Sequence, residues 1–151
     1  DEIEKKKTAQ LEERKKTKNR LDEQLEIVSK EYTEKLTKIF ETTEKEYLKL
    51  KETSNGDSKA LNKFVEEKSI EIGTIYKEAN VKIIDFEWKN PFSGYDDFEK
   101  WKKPFVKTYD EGMESFLNLH SKVSKELSEE IKKKSGEEKV KKEEITSKSD
   151  E

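Results

Sequence analysis

The chain has 151 residues, 46% of them charged and only 29% hydrophobic, with a net charge of −3 and no cysteine. Those figures exclude disulfide scaffolds, thiolate catalysis and cysteine-based zinc sites, and no apolar run approaches the ~20 residues that span a bilayer. Length points to one domain, and the near balance of charges leaves no strong overall field for nucleic acid, which is not an expected partner. Disordered chains and long helices with a single apolar stripe share this composition, so periodicity has to decide between them.

The first element, residues 1–20, reads as a basic polar arm or an extension of the following helix. Lys5, Lys6, Lys7, Arg14, Lys15, Lys16, Lys18 and Arg20 face only Glu12 and Glu13 between positions 5 and 20, and Leu11 is the one large apolar side chain in that stretch. Such a segment can bind an anionic lipid or membrane surface through phosphate contacts, but without an aromatic residue it offers bases no stacking platform. A solvated helix end is the plainer alternative. The chain opens at Asp1 without an initiator methionine, as a processed or a cut chain would, and the expectation leans towards a secreted or surface-exposed protein.

From Leu21 the apolar positions fall at Leu25, Val28, Tyr32, Leu36, Ile39, Thr43, Tyr47 and Leu50, an 11-residue repeat. A period near 3.67 predicts an almost straight helix over 21–53 and favours a bundle over a long two-stranded coiled coil. In "TSNGDSK", Gly56 suits a left-handed helix terminus and Asp57 or Ser58 the next N-cap. A second helix over 58–89 is therefore expected to fold back antiparallel, with rows Leu61/Ile72/Ile83 and Phe64/Ile75/Phe86 broadened by Val65, Tyr76 and Ala79.

Pro91 ends that helix, and Ser93 with Asp96 three residues on resembles a capping box, so a third helix is expected over 94–134. Its stripe is Phe98, Trp101, Phe105, Tyr109, Met113, Phe116, His120, Val123, Leu127 and Ile131, and it crosses Pro104, where a kink or break is predicted. The three spans, roughly 39 to 50 Å at ~1.5 Å per residue, match well enough to pack side by side. The predicted fold is all-α: an elongated up-down-up antiparallel three-helix bundle with frayed or disordered charged termini, residues 135–151 forming a disordered charged tail.

His120 is the only histidine, and its place on the stripe predicts a half-buried structural role, with packing that responds to pH. No second histidine or cysteine completes a metal site, and no glycine-framed serine or phosphate-binding loop is present. The chain is accordingly read as a non-enzyme without cofactors. Nine of the fourteen aromatic residues lie between Phe86 and Phe116, in two similar stretches, "DFEWKNPF" and "DFEKWKKPF". Trp101 and Phe105 fit the core stripe. Trp88 and Phe92 do not, and with Lys89, Tyr95, Lys102 and Lys103 they are the candidate partner-binding residues of an amphipathic knob at the helix 2 to helix 3 junction.

The expected function is a helical protein-interaction or scaffold protein with a protein partner, the alternative being peripheral membrane or lipid binding through the basic segment and the junction. A small apolar ligand between the helices is a third reading. A homo-oligomer would follow from a second exposed stripe, for which Ile27, Phe40 and Leu48 are the residues to inspect.

Overall fold

A computed structural model of the chain describes residues 1–89 and 97–149, with side chains described through residue 136. Three helices follow in chain order: α1 Glu2–Thr53, α2 Ser58–Lys89 and α3 Phe98–Ser149. Each packs against the other two, giving the all-α three-helix bundle that the three apolar stripes predict.

The first connection is tight for local reasons. The amide of Ser54 donates to the Leu50 carbonyl and that of Gly56 to Lys51, so the terminal carbonyls of α1 are satisfied by the turn itself. Asn55 and Gly56 take consecutive positive φ values of 54° and 72°, a geometry that asparagine and glycine tolerate best. Of the two candidate caps Asp57 serves α2, its carboxylate accepting from the Lys59 amide.

The core forms two clusters along the bundle. Leu21, Leu25, Tyr32 and Leu36 meet Ile72, Ala79 and Ile83 of α2 and Phe98 and Phe105 of α3 near the junction end. Tyr47, Leu61, Val65, Phe116 and Val123 form the second cluster near the α1–α2 turn. Burial of these apolar faces, far more than helix propensity, holds the chain together.

Two helices outrun the core at opposite ends. Residues 1–20 of the chain are all exposed, so α1 projects past Leu21 at the junction end. At the other end Leu127 lies against the Gly56 turn, and α3 continues beyond it with residues 128–136 exposed. Residues 1–20, expected as a basic arm or a helix extension, continue α1, which is helical from Glu2, whereas over 135–151, where a disordered tail is expected, α3 remains helical to Ser149. Lys, Glu and Gln are strong helix formers, and the Asp1 side chain caps α1 by accepting from the Ile3 amide, with Glu2 and Glu4 complementing the helix dipole.

Of the kink or break expected at Pro104, the break is absent, for α3 is one helix across it. Proline deprives the Lys100 carbonyl of its amide partner, but Lys100 and Pro104 are both exposed, where water can take the vacant site. The helix start expected at residue 94 and the capping pair Ser93 and Asp96 lie outside the described residues.

Candidate functional site

At the junction end, Trp88 in the last turn of α2 is 79% exposed. It is not isolated, because Ile84 and Val81 precede it by four and seven residues and Ile70 lies eleven before Val81, all exposed on one face of α2 turned from the core. Lys89 beside it pairs with Asp85 at 2.8 Å. Trp101, expected on the core stripe, is only half-buried, whereas Phe98 and Phe105 are buried. Among the described residues Trp88 is thus set apart from Phe98 and Phe105, as their periodicity requires.

Among the described residues of the expected knob, however, Lys102 does not share a surface with Trp88. Lys102 turns into the seam between α2 and α3, where its ammonium pairs with Glu99 at 2.9 Å and its side chain is only 16% exposed. With Lys103, Tyr76, Asn80 and Val106 it lines an open groove of about 730 Å³. That groove runs beside the parallel ring stack of Tyr76 and Tyr109, whose centroids are 4.1 Å apart. Trp88 does not line it. A helical wheel explains the division: Lys102 is three residues before the buried Phe105 and is drawn to the seam, while Trp88 lies nine residues, two and a half turns, beyond the buried Ala79. Phe92 and Tyr95 lie outside the described residues.

A second groove, of about 470 Å³, opens between α1 and α3 and is lined by Ser29, Lys30, Thr33, Trp101 and Pro104, with Lys100 stacked on Trp101 at 5.1 Å. Sequence periodicity passes over Ser29, which is nonetheless buried on this seam because the stripe of α1 broadens to meet two neighbours. Of the three α1 residues to inspect for a second stripe, Ile27 and Leu48 are exposed but twenty-one positions apart, and Phe40 packs against Gly112 of α3.

The basic segment, Lys5 to Arg20, is an exposed helical projection from the same end that presents Trp88. Among the described residues none of its eight cations is in an ion pair.

His120 is half-buried, as its stripe position predicts, and joins all three helices. Its Nδ1 lies 2.7 Å from the Tyr47 hydroxyl of α1 and its Nε2 2.8 Å from Asn62 Oδ1 of α2. With the amide oxygen facing the ring, Nε2 carries the proton and donates to it, leaving Nδ1 to accept from the tyrosine hydroxyl. Tyr47 is fully buried, edge-on to Phe116 and to the imidazole. Asn62 lies off every apolar stripe, so sequence periodicity has no means of finding this link.

Burial lowers the His120 pKa from its ordinary value and raises that of the Tyr47 phenol. The unfolded chain therefore binds more protons than the native state around and just below pH 6.5. Stability is expected to be full above the unfolded pKa of ~6.5 and to fall as pH drops from there through the lower folded-state value. Urea unfolding at successive pH values from neutral to mildly acidic measures this slope, which His120→Gln should flatten. A wild-type stability that rises on acidification over that range would refute the assignment.

Among the described residues no three acidic or histidine side chains converge as a metal site would require, and no helix is long and apolar enough to cross a membrane. Comparison with protein-family models, curated proteins and solved structures finds no match.

Proposed function

We propose that this chain is a non-catalytic helical interaction protein whose contact surface for a protein partner includes Trp88 and the α2 face around it. The observation that supports this most directly is the exposure of an indole in register with Ile84 and Val81, on a helix whose opposite face is already satisfied by the bundle. Tryptophan surrounded by aliphatic side chains is the composition of interface hot spots, and an exposed apolar row has a reason to be covered.

The test is co-purification of a partner with the wild-type chain and with a Trp88→Ala, Phe92→Ala double variant. Trp88 makes no core contact that truncation would break, so Trp88→Ala alone should change stability by no more than about 0.5 kcal/mol. Loss of the partner with helicity retained is the expected result. Undiminished binding would place the contact elsewhere.

A second reading, peripheral binding to an anionic membrane, is supported by the location of Trp88 and the basic projection at one end of the bundle. Sedimentation with anionic vesicles at low salt tests it, and absence of binding there eliminates it.

A further inference from the structure

We propose that the projecting part of α1 is a docking shelf for an acidic amphipathic helix of a partner protein, a surface distinct from the Trp88 face. The warrant is register. Stepping back along α1 from the buried Leu25 and Leu21 by alternating three and four residues gives Lys18, Arg14, Leu11 and Lys7, so the face that meets α2 and α3 inside the bundle continues past the bundle's end. There it has no neighbour among the described residues, residues 1–20 all being exposed.

The composition of that face indicates its occupant. Leu11 is 65% exposed and Ile3, on the same side, is 66% exposed, which gives an incoming helix two apolar holds. Lys7, Arg14 and Lys18 flank them without an ion-pair partner among the described residues, and by helical register Glu12 and Glu13 lie off the face, with Glu4 the one carboxylate at its edge, in the first turn. An apolar row bordered by unpaired cations is complementary to an apolar row bordered by carboxylates. The chain's own projection at the other end is a poor candidate, since beyond Leu127 its sequence alternates lysine and glutamate runs with no acidic excess between Lys132 and Lys142. A bilayer or a polyanion would use the cations all round the helix, Lys5, Lys16 and Arg20 on the far side included. A helix in register would use one face only.

That difference makes the proposal testable on the full chain. The probe is a synthetic three-heptad peptide with leucine at the core positions and glutamate at the flanking ones, and its control replaces every glutamate with lysine. Binding measured by calorimetry should favour the acidic peptide and weaken with salt. Lys7→Glu, Arg14→Glu and Lys18→Glu together should weaken it by at least about tenfold, whereas Lys5→Glu, Lys16→Glu and Arg20→Glu, an equal change in charge on the opposite face, should weaken it by less than about threefold. Neither triple variant touches the core, so unaltered thermal melting is the folding control. Equal losses in the two variants, no binding of the acidic peptide, or tighter binding of phosphatidylserine vesicles or a single-stranded oligonucleotide would each overturn the proposal. Because Trp88 is intact in both variants, failure here is distinguishable from failure of the Trp88 contact.

Discussion

Phe105→Ala is expected to destabilise the bundle by about 3–5 kcal/mol, a large share of the 5–15 kcal/mol typical of a domain. Phe105 is fully buried in the cluster that brings α1, α2 and α3 together at the junction end, and its ring meets Tyr76 edge-on at a centroid distance of 6.3 Å. Truncation removes the transfer free energy of an aromatic side chain and leaves a cavity, because Leu25 and Ile72, in the same cluster, belong to the packed rows of two different helices that cannot both move inwards. Phe105→Leu, which retains most of the apolar volume, should cost well under half as much. Urea unfolding followed by far-ultraviolet circular dichroism gives both values. A loss below about 1 kcal/mol for the alanine variant would show that α3 does not present this face to the core.

The same residue illustrates what sequence periodicity can reveal. Phe105 follows a proline, a position that local propensity alone would assign to a break, yet its spacing from Phe98 and Tyr109 keeps it on the stripe, and it is buried. On α1 the 11-residue rows locate Leu21, Leu25, Tyr32, Leu36, Thr43 and Tyr47, all buried, because an apolar row that recurs with the turn of the helix has one direction in which to leave water. Thr43 is informative, since as a polar residue it is identified by position alone.

What periodicity misses depends on how one helix is placed against another. Ser29 is buried because α3 crosses α1 beside it, and Asn62 acquires its role because His120 arrives opposite. Neither residue differs in its own sequence context from an ordinary solvated side chain. The projecting helices are a separate case: the lysine and glutamate runs at both ends favour helix through propensity without burying a face, so a search for apolar stripes leaves the first open between arm and helix and reads the last as a tail. On the candidate site, spacing separates Trp88 from the core, but it cannot show that Lys102 folds into the α2–α3 seam instead of joining the indole.

Gly112→Ala should destabilise the protein even though alanine is the better helix former by about 1 kcal/mol. A methyl group at position 112 would overlap the Cδ2 and Cε2 atoms of Phe40, whose ring lies across the glycine where α1 and α3 approach. Phe40 is half-buried and packed against the junction-end cluster, so its ring has to shift against that packing to make room. Overpacking costs ~1–3 kcal/mol, which against the helix propensity gained leaves a net loss of up to about 2 kcal/mol. For a domain of this size that lowers the melting temperature by roughly 4–8 °C. The sign of the effect identifies its cause. In a Phe40→Ala background the overlap is gone, so the same Gly112→Ala change should recover its helix propensity and stabilise by about 0.5–1 kcal/mol. A double-mutant cycle measures the coupling between the two positions, expected to be well above 1 kcal/mol. Stabilisation of the wild-type chain by Gly112→Ala would mean that α1 and α3 do not approach at Phe40. Destabilisation that persists unchanged without the ring would assign the requirement for glycine to something other than this contact.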